Sequence, residues 1–159
     1  MISLSVTDVD LGQTIQIVDS RIKPSREKMY RVGEAIINIV KGNFLVSGRP
    51  EAWPKRRDGS TSQLIKSGRL VNSLRIGMLD ETSVTVIAGE GIPYAAIHQT
   101  GGIISHPGSN KLQVFEIGGQ VIFTKKTKPH DIPMPRRRYM NIPPDEQNTI
   151  KQAYLTPTT

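Results

Sequence analysis

Cysteine is absent from this chain, so disulfide bridges and thiolate metal sites are excluded. Aromatic residues make up only 5% and include a single tryptophan, Trp53. With a mean hydropathy of −0.31, the interior is expected to be a modest, largely aliphatic core. No apolar run approaches the ~20 residues that a membrane-spanning helix requires, and no membrane contact is expected. Met1-Ile2-Ser3-Leu4 leads to Asp8 and Asp10 with neither a basic stretch nor a long apolar one, which reads as a soluble protein and not as a signal peptide. Only three histidines occur, His98, His106 and His130, and none is spaced with a glutamate as on a zinc-hydrolase helix. His98 and His106 can meet across a loop, but a third ligand would have to come from far along the chain. No metal and no cofactor is therefore expected. There is no Gly-x-Ser-x-Gly and no Gly-rich phosphate cradle; Ser67-Gly68 is only a dipeptide. Asp80-Glu81 falls at a predicted hairpin tip open to water, where no strong pKa shift is expected. The reading is of a protein that is not an enzyme.

Turn-forming residues and positive charge are abundant. Eleven prolines and fourteen glycines imply many turns or long loops. A length of 159 residues suits one domain, taken here as 1–159. The 21 basic residues against 14 acidic ones give a net charge of +7, which allows attraction to nucleic acid or to an acidic protein surface.

Periodicity supplies the elements. Ile2, Leu4 and Val6 alternate with serines, predicting a strand over Met1 to Val6. Leu11, Ile15, Val18 and Ile22 favour an amphipathic helix from about Asp8 to Arg21. Met29, Val32, Ile36, Ile39, Val40 and Phe44 form the apolar stripe of a long helix, Ser25 to Val46, stopped by Gly48 and Pro50. Ser47 to Gln63 is a long flexible loop rich in proline, glycine, serine and threonine. A helical turn at Leu64 to Ser67 breaks at Gly68. Two hairpins follow from the alternation, Ser73–Leu79 with Ser83–Ala88, and Leu112–Ile117 with Gln120–Thr124 around Gly118-Gly119. Between them, Pro93 opens a short helix with Tyr94, Ile97 and Gly101 on one face, and Gly101-Gly102 permits a left-handed exit. Ile103 to Lys111 and Pro129 to Pro135 read as loops, and Ile142 as part of a final short strand. A terminal helix is expected over Glu146 to Tyr154, with Ile150 and Tyr154 inward and 155–159 frayed. The fold class is α+β: one long amphipathic helix packed on a small, mostly antiparallel β-sheet built from hairpins, plus short helices.

Five segments resemble one known family in the same order. Tyr94-Ala95-Ala96-Ile97-His98-Gln99-Thr100-Gly101-Gly102 is similar to the signature of the tailed-phage virion morphogenesis proteins, the Mu-like tail-completion family. Phe44 followed by Gly48-Arg49-Pro50-Glu51-Ala52-Trp53 resembles that family's Phe–Gly–Pro–Trp segment. Leu64 to Leu74, with Ser67-Gly68 at its centre, resembles its Ser-Gly segment, and Val84 to Gly89 its strand before the signature. Ile132-Pro133-Met134-Pro135-Arg136 resembles its Ile-Pro segment, departing at Met134, where a small residue is usual, and at Arg137, where proline is frequent. The likeness spans roughly the whole chain, from the first strand to the last helix.

The resemblance implies a structural phage or prophage protein that completes the tail or the head–tail junction. Its implied partners are other tail and neck proteins and copies of itself, closed into a ring. It would assemble in the host cytoplasm and reside in the virion. Candidate interface residues are Trp53, Lys55, Arg56, Arg57, Tyr94, His98, Gln99, Lys125, Lys126, Lys128, Arg136, Arg137 and Arg138. Trp53 is expected to pack over the core edge or to anchor an interface. Tyr94 is expected in the core with its hydroxyl at the edge, and His98 and Gln99 at the rim, His98 bonded to backbone. The alternative is a nucleic-acid-binding accessory protein that makes non-specific contact with DNA through one basic face, if the loop cations meet those of the last hairpin. A third reading, a small hydrolase, would rest on His98.

Overall fold

The computed structural model describes residues 2–7, 23–109, 113–124 and 126–156. The helix expected from Asp8 to Arg21 lies outside these residues, as do Lys125 and the last three positions of the expected frayed end.

The long helix is the platform. Helix α1 runs Arg26–Leu45 and starts where expected, with Ser25 extended and its Oγ accepting from the Lys28 N–H at 3.3 Å. Glu27 adds negative charge to the first turn, where the helix dipole favours it. Met29, Val32, Ile36, Val40 and Phe44 are all fully buried, so the stripe faces the core as its spacing dictates. Each such side chain contributes about 1.5–3 kcal/mol by leaving water. The helix ends because Ser47 and Gly48 take positive φ, and the Gly48 N–H reaches back to the Asn43 carbonyl at 2.8 Å. A Cβ at Gly48 would lie 2.6 Å from both the Glu51 carbonyl oxygen and Trp53 Cδ1, so the turn admits only glycine.

The sheet under α1 has the order β1-β3-β2, with β1 Ile2–Thr7, β2 Arg75–Leu79 and β3 Ser83–Ala88, all antiparallel. The central strand, β3, is more buried than β2, with Val84, Val86 and Ala88 inside. The β2–β3 hairpin matches its sequence reading and turns on Asp80. The Asp80 carboxylate accepts from the Thr82 and Ser83 N–H groups at 2.8 and 2.7 Å and from the Ser83 hydroxyl at 2.6 Å. These bonds favour the charged form and lower its pKa to about 2, contrary to the expectation of no strong shift at an exposed tip. A short helix α2, Arg69–Asn72, precedes β2, and the expected break falls at Gly68 with φ 71°. The terminal helix α4, Gln147–Leu155, follows a 3-10 turn at Pro144–Glu146 and packs on α1 through Ile150 and Tyr154.

Helix α3, Ala95–Thr100, is the expected short helix, but its buried residue is Ala95. Tyr94 is 37% exposed, which corrects its expected place in the core. The residue occupies the cap, one step before the helical register begins, and its ring lines a surface cleft while Ala95 takes the buried face.

Residues 102–134 depart from the rest. The segments read as loops are strands: β4 Gly102–His106 pairs with β7 His130–Met134 in antiparallel register from Gly102↔Met134 to His106↔His130. Inserted between them is the second expected hairpin, β5 Gln113–Ile117 and β6 Gln120–Thr124, with Gly118 and Gly119 both at positive φ as a primed turn requires. No described residue from 103 to 134 belongs to the core or packs against it. The expected strand around Ile142 is also absent; residues 135–139 and 141–143 are irregular.

At Gly33, α1 comes so close to the sheet that a Cβ would sit 2.8 Å from Ile76 Cδ1 and 2.9 Å from Val84 Cγ2. Gly33→Ala is predicted to destabilise the fold by about 1–2 kcal/mol, because overpacking outweighs the gain in helix propensity. Urea unfolding measures it; a gain in stability would show that the helix is not seated this closely.

Candidate functional site

Residues 137–141 run through the interior as irregular backbone, and such backbone must find partners away from water. Two amide side chains supply most of them. Gln99 Oε1 accepts from the Tyr139 and Met140 N–H groups, both at 3.0 Å, and its Nε2 donates to the Met140 carbonyl at 3.0 Å. From the other side, Asn43 Nδ2 donates to the carbonyls of Tyr139 and Asn141 at 3.0 and 2.8 Å. Asn43 is itself oriented by Arg49, whose Nε donates to Asn43 Oδ1 at 3.0 Å while Nη1 pairs with Glu146 at 2.6 Å. The Arg49 guanidinium and Thr149 lower the Glu146 pKa below the usual carboxylate range. Trp53 Nε1 donates to the Arg138 carbonyl at 3.2 Å, and the Arg137 N–H donates to the His98 carbonyl at 2.7 Å. The Tyr139 hydroxyl reaches the Ala95 carbonyl at 3.2 Å, and burial pushes its pKa up to about 12.

The structure therefore gives the signature residues distinct places. Gln99 is a clamp inside the fold, not a rim group. Trp53, 7% exposed and edge-on to Phe44, takes the packing role. Gly101 allows the Arg136 backbone to approach, since a Cβ would lie 3.0 Å from its nitrogen. The clamped segment then delivers one side chain, Arg137, to a surface cleft.

That cleft has a volume of about 1370 Å³. Its walls are the loop carrying Lys55, Arg56 and Arg57, the turn carrying Lys66, the exposed face of Tyr94 and His98, and strand β7 with Ile132, Pro133 and Met134. Arg137 is only 5% exposed, and its Nε has no hydrogen-bond partner. Burial first, and the Arg56 charge second, lower its pKa. His98 stacks edge-on to Tyr94 at 5.9 Å, and its Nδ1 also lacks a partner, so the expected bond from its ring to backbone is not formed. Burial and then Arg137 hold the imidazole pKa below its ordinary value.

The remaining cations do not join this surface. Lys126, Lys128, Arg136 and Arg138 are exposed but do not line the cleft, so the described cations do not merge into one basic face there. His106 lies against His130, ring centroids 5.0 Å apart, and its Nδ1 accepts from the Gly108 N–H. Among the described residues, no group of three or more His, Cys, Asp or Glu side chains is arranged to hold a metal ion, and no helix is long and apolar enough to cross a membrane. Lys66, Asn43 and the Arg49–Glu146 pair were not singled out as site residues by sequence; Lys66 and Arg49 fell only inside segments of family likeness.

Residues 11–156 match the sequence model of the phage virion morphogenesis family. The chain belongs to that family. The match takes in α1, both hairpins, the signature helix and α4, while β1 precedes it. The role of this virion morphogenesis protein is thus in phage assembly, and its partners are virion proteins. No curated protein and no solved structure matches the chain.

Gln99→Leu is predicted to cost about 3 kcal/mol, because it strands buried N–H and C=O groups of Tyr139 and Met140. Gln99→Glu, which keeps the acceptor, should cost less; equal losses in chemical denaturation would contradict the clamp. A second prediction concerns acid. His98 has a folded pKa below the 6.5 of an unperturbed imidazole, so the unfolded chain takes up its proton first as pH falls. Stability from neutral His98 is complete above about pH 6.5 and is lost as pH drops toward the folded value. Between about pH 7.5 and 5.5, the Tm of the native protein should fall further than that of His98→Gln; parallel falls would refute this.

Proposed function

We propose that this protein is a structural, non-catalytic component that completes the phage tail or the head–tail junction, working as a homo-oligomeric ring. It assembles in the host cytoplasm and remains at the tail or junction of the virion. The observation that carries the reading is the apolar arm. Among the described residues, eight of the thirteen large exposed apolar side chains lie between Ile103 and Ile132. The β5–β6 hairpin carries them on both faces: Val114 opposite Phe123 on one, Phe115 opposite Ile122 on the other. Phe123 is 65% exposed.

A lone two-stranded hairpin is marginally stable in water, and exposed apolar surface of this extent marks a contact surface. Covering the arm with a different surface of the next subunit gives a heterologous contact, which closes into a ring when the rotation allows. The loop Ser47 to Gln63 and the exposed cations Lys126, Lys128, Arg136 and Arg138 add contacts to tail and neck proteins. Those charges also allow non-specific contact with the passing genome, a minor term in this reading.

The test is light scattering on native protein and on the double variant Phe115→Ser/Phe123→Ser, at low and high salt. A discrete native oligomer that survives high salt, with a monomeric variant whose Tm is nearly unchanged, is the expected outcome. A native monomer at every concentration, or assembly that dissolves with salt, would contradict an apolar ring contact.

A further inference from the structure

The cleft beside Arg137 has the chemistry of a binding site, and none of the contacts described above occupies it. We propose that it is a docking groove for an acidic, extended peptide segment of a partner virion protein; this rests on the reading of the chain as a structural assembly protein. Four features of the groove select that occupant.

The first is charge. Lys55, Arg56, Arg57, Lys66 and Arg137 line the groove, and the one carboxylate among the lining residues, Asp131, already accepts from the Ser105 hydroxyl at 2.7 Å on the β4 side. The chain itself is strongly basic at +7, so the complementary charge comes from a partner.

The second is the buried cation. Arg137 is nineteen-twentieths buried, its Nε is without an acceptor, and among the described residues no carboxylate pairs with it. A buried charge in that condition is costly until an anion meets it. The backbone at and beside Arg137 is fixed in advance by Gln99, His98 and Trp53, so little main-chain ordering remains when a ligand arrives.

The third is the floor. Leu64, Tyr94, Ile132, Pro133 and Met134 offer apolar surface between the cations. An acidic peptide with alternate apolar side chains satisfies both parts, whereas a nucleic acid strand brings phosphates and bases that need a stacking platform. Tyr94 is the one large aromatic ring on the lining, beside the smaller imidazoles of His98 and His130. The exposed cations that would extend a phosphate track, Lys128, Arg136 and Arg138, lie outside it.

The fourth is size. About 1370 Å³ exceeds the range usual for small-molecule pockets, about 300–1,000 Å³, and suits several residues of chain.

The test is fluorescence anisotropy with a short fluorescein-labelled peptide alternating aspartate with leucine, at near-physiological salt. The expected result is saturable binding that Arg137→Gln weakens about tenfold or more, as removal of one partner from a desolvated charge pair does. Because Arg137 is buried, Arg56→Gln/Lys66→Gln, at surface positions, serves as the second variant and should also weaken binding. Lys41→Gln, exposed on α1 and outside the groove, should leave it within about twofold. An oligo-dT of equal charge should not displace the peptide. Absence of binding, indifference to all the groove variants, or displacement by oligo-dT at lower concentration would each overturn the proposal, the last in favour of nucleic acid. The same titration on Phe115→Ser/Phe123→Ser separates this site from ring formation. Peptide binding retained by a monomeric variant supports the groove as an independent site. An intact native ring that binds no peptide overturns the groove alone.

Discussion

Irregular backbone can be buried only if something other than a strand or helix answers its N–H and C=O groups. In this protein Asn43 and Gln99 do so for residues 139–141, from opposite sides. Much else in the molecule follows from that arrangement. Asn43 belongs to the long helix, Gln99 to the signature helix, and Arg49 ties Asn43 to Glu146 at the entry to the C-terminal helix. One polar network thus joins elements that lie far apart in sequence. The apolar contacts around it, Phe44 against Trp53 and Tyr139, keep water away and so make each of those hydrogen bonds matter more.

The same arrangement divides the molecule into a rigid body and a surface made for partners. The body is α1 between the three-stranded sheet and α4, with the clamped segment through it. The described residues from 103 to 134 leave that body and add no side chain to its hydrophobic core. A segment that leaves its described isoleucine, valine and phenylalanine side chains largely exposed fits a protein whose final structure is an assembly. Membership in the virion morphogenesis family agrees with that division.

Local patterns told most of the body's structure. The stripe of α1, the two hairpins and the inward Ile150 and Tyr154 were legible because 3.6- and 2-residue periods survive burial on one face. The β4–β7 pair was not, because its strands are separated by the whole β5–β6 hairpin and neither alternates. Pro133 also argues against a strand unless that strand lies at an edge, which β7 does. Asn43 drew no reading and Gln99 was placed at a rim for a related reason: no pattern distinguishes an amide that serves buried backbone from one that faces water. Asp80 was missed because local hydrogen bonds, not burial, moved its pKa. Of the candidate site residues, Lys55, Arg56, Arg57, Tyr94, His98 and Arg137 converge on one cleft, which charge runs and a family likeness indicated without giving its shape.

The most direct measurement of the central claim is native-state amide hydrogen exchange at Tyr139 and Met140. Both lie in coil, so secondary structure alone would leave them open. If Gln99 holds their N–H groups inside the core, their exchange should be as slow as that of mid-helix residues such as Val40. Exchange as fast as that of the exposed loop around Gly59 would mean that this segment is not clamped, and the account of the cleft would lose its foundation.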